Sequence, residues 1–492
     1  MIGKPLLVVT VTASTTVELR QRRDSVVDAD LIELRLDGVS DLDVAGALAG
    51  RKRPVIVTCR PTWEGGLFHG SEEERRRILG DALTLGADYV DVEWRAGFAD
   101  LIEQTGGRRI VLSFHDFLSV PPDLVAILRA MQTCGAEIVK LATRANRLTD
   151  CLPLLTLHEA AGGVGRLVLI AMGEAGLASR VLAARFGSVW TYAGQLTEVG
   201  QVGPGELLQQ YRLRSLDGCT DVYGLVGSPV SHSVSPAMHN AAFQAAGNDA
   251  VYLPLPAADV DDFVTFARAM KLKGASVTIP YKVELWARVD ERDEAADRIG
   301  AINTVRITNG RWLGRNTDAS GFLQPLLACG EPLRGTRVAI LGAGGSARAV
   351  TVALSGTGAE LTLHTRQQER ARGLAALVAA RTGPWPPAPG SWDVLVNCTP
   401  VGMYPHVTES PVPAASLTGD LVYDLVYNPS VTRLLHDAAA RGCRTIGGLD
   451  MLVAQAAEQF AWWTGAEPEP GVMRAAAINR LSEFSADANH VV

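Results

Sequence analysis

The first 210 residues alternate between two patterns of hydrophobic positions, one typical of strands and one typical of helices. Eight segments rich in aliphatic and β-branched residues are predicted strands: Leu6–Thr12, Asp30–Asp37, Pro54–Arg60, Tyr89–Trp94, Arg109–Asp116, Glu137–Thr143, Leu167–Gly173 and Ser188–Gly194. Helical periodicity lies between most of them, as in Ser71–Gly86, Pro122–Cys134 and Glu174–Phe186. Eight strand–helix repeats of this size predict a compact (β/α)8 barrel, although a doubly wound sheet has the same periodicity.

The remaining residues predict two more α/β units. Residues 211–222 contain charged turns and form a short linker, after which a strand from Val222 runs into a Gly-Ser-Pro turn. Arg337–Leu341 is a strand that opens directly into a glycine-rich turn, as at the start of a Rossmann-type domain. The expected architecture is therefore an N-terminal barrel fused to a two-domain α/β module.

Composition excludes several classes of protein. The chain has 47% hydrophobic and 20% charged residues, which is typical of folded domains, and its net charge of -7 argues against nucleic acid or an anionic membrane as a partner. The seven cysteines are scattered singly without CxxC spacing, so we expect no disulfide framework, no metal site and a reducing, cytoplasmic location. The segment after Lys4 slightly resembles a signal peptide, but its β-branched run predicts a first strand.

Charged residues occupy positions where a buried strand is normally apolar. In the second strand, Glu33, Arg35 and Asp37 fall on one face, which in a barrel would point inward and require a polar ligand or pairing. An exposed edge strand of an open sheet would show the same alternation. Further polar residues lie late in their strands or just after them, at the face where barrel active sites assemble: Arg60, Glu64, Ser113 and His115.

Lysine is scarce, at six positions, and arginine supplies the other positive charges. A lysine retained inside an apolar strand therefore needs a specific reason, because arginine cannot act as a neutral amine nucleophile. Lys140 lies between Val139 and Leu141, whose side chains would face the helices and aim the lysine inward. Burial near Arg35, Arg60 or Arg180 would favour an uncharged amine that can attack a ketone, although a structural ion pair is an alternative.

These residues together resemble type I dehydroquinate dehydratases over roughly residues 5–210. The elements that carry the resemblance occur in the family's order: Glu33-x-Arg35, Arg60-x-x-x-Glu64-Gly-Gly, Ser113-x-His115-Asp116 and Lys140. The resemblance implies that Lys140 forms a Schiff base with the substrate ketone, that His115 transfers protons and that Glu64 orients His115. It also implies that Arg180 binds the substrate carboxylate and that other polar residues line the pocket: Glu33, Arg35 and Arg60.

One segment departs from this family. Where its members carry a Ser-x-Pro-Gly-Gln lid, this chain has Val202-Gly203-Pro204-Gly205-Glu206. An acid at Glu206 near an anionic substrate would be unfavourable, which puts the lid contacts in doubt.

The second half carries a motif for dinucleotide binding. The strand Arg337–Leu341 leads into Gly342-Ala343-Gly344-Gly345-Ser346-Ala347, whose glycines would let the backbone approach a pyrophosphate at a helix N-terminus. A purely structural glycine turn is the alternative. About 20 residues later, Thr365-Arg366 stands where an NAD-binding protein needs an acid, so the motif predicts NADP(H).

Ordered motifs over residues 222–485 closely resemble shikimate dehydrogenase. They are Ser233-x-Ser235-Pro, Ser276-x-Thr278-x-Pro-x-Lys282, Ala-Ile-Asn303-Thr, Asn316-Thr-Asp318, Asn-Cys-Thr399-Pro-x-Gly-Met403, Tyr-Asp-Leu-Val-Tyr427-Asn-Pro and Gly448-Leu-Asp-Met-Leu-Val-x-Gln455. The resemblance implies a catalytic pair, Lys282 and Asp318. It implies a substrate site: Ser233, Ser235, Thr278, Asn303, Asn316, Tyr427 and Gln455. It also implies three cofactor contacts beyond the glycine turn: Thr399, Met403 and Gly448.

The two resemblances predict a bifunctional enzyme that converts dehydroquinate through dehydroshikimate to shikimate. The expected domains are a barrel over 1–212, a substrate domain over 222–325 completed by 449–485, and a Rossmann-type domain over 333–448. The alternatives are a second half that prefers quinate and a catalytically silent regulator with the same folds. The expected partners are small-molecule substrates, and the oligomeric state stays open.

Overall fold

The computed structural model describes residues 4–160, 166–330 and 332–489, apart from the side chains of Glu159 and of 485–489. The chain forms two compact units. The first contains residues 1–221 and 249–271, and the second contains 222–248 and 272–492.

The first unit contains a nearly closed barrel of eight parallel strands. They are β1 (Leu6–Thr12), β2 (Leu31–Arg35), β3 (Val55–Thr58), β4 (Tyr89–Glu93), β5 (Ile110–Asp116), β6 (Ile138–Arg144), β7 (Arg166–Met172) and β8 (Trp190–Ala193). The hydrogen-bonded order is β7-β6-β5-β4-β3-β2-β1-β8, and a parallel bridge between Leu167 and Ser188 joins its two ends. The barrel predicted from the sequence is confirmed.

Helices follow the strands of the barrel. They are α1 (Thr16–Ser25), α2 (Val44–Leu48), α3 (Glu72–Thr84), α4 (Ala99–Thr105), α5 (Leu124–Thr133), α6 (Leu152–Ala160) and α7 (Leu177–Val181). The helix predicted over Glu174–Phe186 is shorter than expected. Leu182 leaves helical dihedral angles, and the chain turns at Gly187, where the ring of His158 leaves no room for a Cβ atom.

The interior of the barrel changes from apolar to charged along the strands. Val8, Leu31, Ile56, Val111 and Ile138 belong to one buried apolar cluster near the starts of their strands. Because side chains of a strand alternate between its two faces, the polar residues two and four positions later share the interior face. The carboxyl ends of the strands therefore surround a charged cavity on an apolar floor.

The chain then forms six strands and five helices between residues 221 and 328. The strands are β9 (Asp221–Gly227), β10 (Ala250–Pro256), β11 (Gly274–Val277), β12 (Glu291–Arg292), β13 (Thr304–Thr308) and β14 (Arg311–Arg315). The helices are α8 (Ser235–Ala245), α9 (Val260–Ala269), α10 (Lys282–Trp286), α11 (Glu294–Ile299) and α12 (Asp318–Ala328). Five strands in the second unit follow the order β9-β11-β13-β14-β12.

Strand β10 and helix α9 belong to the first unit, and a buried carboxylate helps to hold them there. Asp262 of α9 accepts hydrogen bonds from the backbone N–H groups of Leu148 and Thr149 at 3.1 and 2.9 Å, and it pairs with Arg147 at 3.2 Å. Burial would raise the pKa of Asp262, but these hydrogen bonds outweigh it and lower the pKa. The carboxylate is therefore charged when these contacts form.

A third, wholly parallel sheet has the strand order of a Rossmann fold. Its strands are β15 (Arg337–Leu341), β16 (Glu360–His364), β17 (Arg381–Gly383), β18 (Val394–Asn397), β19 (Leu421–Asp424) and β20 (Arg444–Ile446). They are ordered β17-β16-β15-β18-β19-β20, which places the point of reversal between β15 and β18, where dinucleotides bind in such sheets. The helices are α13 (Gly345–Ser355), α14 (Gln368–Val378), α15 (Arg433–Ala440), α16 (Gly448–Thr464) and α17 (Val472–Asn489).

Candidate active sites

A cavity of about 540 Å³ opens at the carboxyl ends of the barrel strands. It brings together every site residue that the sequence predicted for the first half: Glu33, Arg35, Arg60, Glu64, His115, Lys140 and Arg180. Glu33, Arg35 and Asp37 all line this cavity, as expected for the charged face of β2. Asp37 lies just after the strand and accepts two hydrogen bonds of 2.8 Å from Arg35.

His115 and Glu64 form a buried pair in this cavity. One carboxylate oxygen of Glu64 lies 2.9 Å from the Nδ1 atom of His115 and accepts the backbone N–H of the same residue at 3.0 Å. Burial lowers the pKa of His115 well below 6.5, and the nearby charges of Arg60 and Lys140 lower it further. Burial also raises the pKa of Glu64 to about 7. Because Nδ1 is engaged by Glu64, Nε2 is the nitrogen of a neutral imidazole that can accept a proton.

Lys140 points into the barrel, is 5% exposed and lies within the apolar run of β6. Its Nζ atom lies 3.1 Å from Asp91 and 3.8 Å from Glu33, and 4.4 Å from the centre of the Tyr192 ring. The groups that contact this amine are thus two carboxylates and an aromatic face. We expected arginines near Lys140, and the charged groups that contact its amine in the described residues are instead the carboxylates of β2 and β4.

Asp91 and Glu93 of β4 form a buried charge network that the sequence interpretation missed. Arg60 pairs with Asp91 at 3.0 Å and with Glu93 at 2.8 Å, and Glu93 also binds Arg75. Burial would raise the pKa of Asp91, but Arg60 and Lys140 outweigh it and hold that pKa well below its usual range. The alternation Tyr-Val-Asp-Val-Glu of β4 was a signal for both acids, since it repeats the pattern that identified the inward face of β2.

Arg180 differs from the other buried arginines of the cavity because it has no acidic partner among the described residues. Its guanidinium donates to the carbonyl oxygens of Val199 at 2.7 Å and Tyr192 at 3.5 Å, and its Nε–H has no acceptor in the described part of the chain. Burial lowers the pKa of Arg180 from 12.5 to about 10. A buried cation without a counter-ion is unfavourable, so this position favours an anionic ligand.

A second cavity, of about 190 Å³, lies in the second unit. It brings together most of the residues predicted there: Ser233, Ser235, Thr278, Lys282, Asn303, Asp318, Tyr427 and Gln455. Lys282 donates to Asp318 at 2.5 Å, which is a charge-assisted hydrogen bond, and both side chains are mostly buried. The pair is therefore largely shielded from solvent.

A chain of amide hydrogen bonds holds Asp318 from the other side. Asn303 donates to Asp318 at 2.8 Å and to Gln455 at 3.3 Å, and Gln459 donates to the same oxygen of Gln455 at 2.6 Å. Ser276 in turn donates to Gln459 at 2.5 Å. Sequence interpretation missed Gln459, although its four-residue spacing from Gln455 on α16 places both amides on one helix face.

Asn316 is the predicted binding residue that does not line the cavity. Its side chain donates to the carbonyl oxygen of Ala301 at 2.9 Å and accepts the backbone N–H of Asp318 at 3.1 Å. It thus stabilises the turn that precedes α12, which begins at Asp318. Its position therefore fits a supporting role behind Asp318.

The glycine-rich turn has the space and the local charge that a dinucleotide needs. Gly342 has φ +107°, and a Cβ atom there would lie 3.2 Å from Thr399, so this position favours glycine. A Cβ at Gly344 would meet nothing within 4 Å, and one at Gly345 would lie 3.9 Å from the side chain of Lys282. The turn is therefore open, leads into α13 and borders Lys282.

The other predicted cofactor residues surround the same edge of the third sheet. Thr365 and Arg366 directly follow β16, the neighbour of β15, and Arg366 is exposed and pairs with no described residue. Thr399 is oriented by Asn397, to which it donates at 2.7 Å. Ser346 of the Gly342–Ala347 turn and Gly448 of α16 also line the second cavity. Met403 is 44% exposed. These features fit NADP(H), since a free guanidinium suits a 2′-phosphate.

Comparisons with known proteins match both halves of the chain. The model of type I 3-dehydroquinase matches residues 7–217, that of the shikimate dehydrogenase substrate binding domain matches 225–305, and that of the shikimate 5′-dehydrogenase C-terminal domain matches 448–478. The chloroplastic bifunctional 3-dehydroquinate dehydratase/shikimate dehydrogenase of Arabidopsis thaliana is 35% identical over 477 residues, which cover 89% of this chain and 78% of that protein.

Two further relatives match the second half alone. The shikimate dehydrogenase (NADP(+)) of Methanopyrus kandleri is 43% identical over 285 residues, covering 54% of this chain and 98% of its own. A solved shikimate dehydrogenase in complex with NADP+ is 36% identical, covers 54% of this chain and 97% of its own, and has a TM-score of 0.52. In the described residues no helix is long and apolar enough to cross a membrane, and no group of acidic, histidine or cysteine residues is arranged to hold a metal ion.

Proposed function

Because the chain belongs to the family of bifunctional 3-dehydroquinate dehydratase/shikimate dehydrogenases, we propose that its halves catalyse consecutive reactions. The barrel dehydrates 3-dehydroquinate to 3-dehydroshikimate, and the second half reduces that product to shikimate with NADPH. The proposal is supported by two separate cavities, each lined by a lysine, buried in the first and partly buried in the second, and by the polar residues that its reaction requires.

In the barrel, Lys140 attacks the substrate ketone as a neutral amine, and loss of water forms an iminium. The iminium draws electrons from the adjacent C–H bond, so that His115 can remove this proton and leave an enamine. Return of the electron pair expels the C1 hydroxyl, which His115 protonates, and water then hydrolyses the imine to release product and the free amine. Glu64 orients His115 through Nδ1, and Arg180 binds the substrate carboxylate.

The resting amine must lose a proton before it can attack. Asp91 lies 3.1 Å from Nζ, and the neutral imidazole of His115 is the base within the same cavity that can take the proton. Protonated His115 returns this proton to the carbinolamine oxygen as water leaves, so the imidazole is neutral again when it removes the C–H proton, and that second proton is the one it gives to the departing hydroxyl. The buried charge network around Arg60 keeps Asp91 ionised and in place throughout.

In the second cavity, Lys282 protonates the carbonyl oxygen of dehydroshikimate as the ketone is reduced. Asp318 holds the ammonium at 2.5 Å, and Asn303 fixes the other oxygen of that carboxylate. NADPH, when bound between the glycine-rich turn and Arg366, would supply the hydride. Lys282 lies beside Gly345, which brings the proton donor and the cofactor turn to one place. Further polar side chains bind the carboxylate and ring hydroxyls: Ser233, Ser235, Thr278, Tyr427 and Gln455.

One observation carries the proposal: Lys140, the His115–Glu64 pair and the unpaired cation Arg180 line a single cavity. The test is a coupled assay with 3-dehydroquinate and NADPH, in which enone absorbance and NADPH oxidation are followed separately. We expect both signals from the wild-type chain and faster oxidation of shikimate than of quinate with NADP+. Absence of the enone, or a preference for quinate, would contradict the corresponding half of the proposal.

Location and domain limits are part of the proposal. All seven cysteines are unpaired, which supports a reducing, cytoplasmic compartment. Cell fractionation with the coupled assay as readout tests this placement. We also propose domains at 1–212, 222–325 with 449–485, and 333–448, which limited proteolysis would check.

A further inference from the structure

Hydrogen bonds hold the segment between β8 and residue 202 at the mouth of the barrel cavity. Leu196, Glu198, Val199 and Gln201 line that cavity. The carbonyl oxygen of Val199 accepts hydrogen bonds from Arg180 at 2.7 Å and from the backbone N–H of Gly173 at 3.2 Å. The segment is therefore an ordered wall of the site.

Gln201 is the polar side chain that ties this wall to the catalytic residues. It is buried, its Oε1 atom accepts the backbone N–H of Leu196 at 3.3 Å, and its Nε2 atom donates to Thr10 at 3.2 Å. Thr10 then donates to Glu33 at 2.8 Å. A Cβ atom at Gly194 would lie 2.2 Å from Oε1 of Gln201, so glycine at this position makes room for the amide.

The amide has one donor left for a ligand. A glutamine side chain carries two N–H groups, and in the described part of the chain only Thr10 receives a hydrogen bond from Nε2 of Gln201. The lid residues that family resemblance points to, from Val202 to Glu206, do not line the cavity in the described residues. A neutral amide suits an anionic substrate better than the carboxylate of Glu206.

We propose that Gln201 is a substrate-binding residue of the dehydratase, whose remaining Nε2–H donates to an oxygen of the bound hydroxylated carboxylic acid. This inference rests on the proposed function of the barrel. The amide takes the place of the polar contacts that the Val202–Glu206 segment lacks, and its bonds to Thr10 and Leu196 hold it in one orientation. Gln201 thereby contributes to binding, while the bonds that break and form involve Lys140 and His115.

The test compares two near-isosteric variants with one control. Gln201→Met removes the donor, and the KM for 3-dehydroquinate should rise about 10-fold with kcat within about threefold, as expected for one neutral hydrogen bond in a buried site. Gln201→Glu adds a negative charge against an anionic substrate, and its KM should rise about 100-fold or more. Glu206→Gln is the matched control and should leave KM within about twofold.

The reductase activity of the same variants with 3-dehydroshikimate reports on folding of the chain, and it should equal that of wild type. Unchanged KM in both Gln201 variants, or a lower KM in Glu206→Gln alone, would overturn the inference. If the wild-type chain dehydrates 3-dehydroquinate normally and the KM of Gln201→Met is unchanged, only this inference is wrong. If the wild-type chain does not dehydrate 3-dehydroquinate at all, the proposed function of the barrel is wrong instead.

Discussion

Replacing Arg180 by methionine should lower kcat/KM for dehydration about 30-fold or more and at the same time stabilise the unliganded protein. Both effects arise because this guanidinium is buried and has no acidic partner among the described residues. In the absence of substrate the charge is unfavourable, and in its presence the substrate carboxylate compensates the charge. The methionine side chain is close in length to that of arginine and replaces its apolar stem.

The size of the stability effect follows from the pKa. Lowering the pKa of Arg180 from 12.5 to about 10 corresponds to a penalty of roughly 3 kcal/mol on the charged form in the folded state. The side chain is protonated in both the folded and the unfolded chain below pH 10, so the penalty is constant over neutral pH and is relieved only as the pH rises through about 10. Losing the hydrogen bond to Val199 costs about 1 kcal/mol, which leaves a gain near 2 kcal/mol.

Thermal unfolding and steady-state kinetics measure the two effects. A gain of about 2 kcal/mol should raise the Tm of the barrel by roughly 4–8 °C. Truncating one partner of a buried charge pair costs about 2–5 kcal/mol, so kcat/KM for dehydration should fall about 30-fold or more.

The matched contrast is Arg60→Met, which should have the opposite effect on stability. Arg60 is paired with Asp91 and Glu93, and its removal leaves two buried carboxylates, at a cost of about 3–5 kcal/mol. A lower Tm for Arg180→Met, or a kcat/KM close to wild type, would refute the assignment of Arg180 as the unpaired cation that binds substrate.

Three other predictions concern the remaining groups of the two sites. The kcat/KM for dehydration should rise with pH through about 7, because the His115–Glu64 pair acts as a base only after it has lost a proton. This inflection should disappear in Glu64→Gln, and an inflection that persists would assign it to another group. Lys282→Ala should abolish NADPH oxidation and leave dehydration intact, as measured in the coupled assay; loss of both activities would mean that the halves depend on each other. Arg366→Ala should lower kcat/KM for NADPH about 10- to 100-fold and leave the value for NADH unchanged, whereas equal losses with both cofactors would contradict a contact with the 2′-phosphate.

The regular parts of the fold could be predicted because they follow simple periodicities. Alternation in β2 identified Glu33 and Arg35 as inward residues, and the strand–glycine–helix sequence identified the turn at Gly342. The same alternation was present in β4, so Asp91 and Glu93 were predictable by the argument already used for β2.

Other features depend on tertiary structure and had no signal in the sequence. Whether the carboxylates or the arginines contact Lys140 depends on the register between neighbouring strands, which no single strand reveals. Gln201 lies in a loop without periodicity, and its burial follows from bonds to Thr10, 191 residues earlier in the chain. The sequence motif predicted that Asn316 binds substrate, but whether its side chain reaches the cavity depends on the turn that precedes α12.

The most direct test of the account is to trap the covalent intermediate at Lys140. The wild-type chain is incubated with 3-dehydroquinate and borohydride, digested and analysed by mass spectrometry, with Lys140→Met as the control. The account predicts one reduced adduct, on the peptide that contains Lys140, and none in the control. An adduct on any of the five other lysines, or continued dehydration by Lys140→Met, would contradict it.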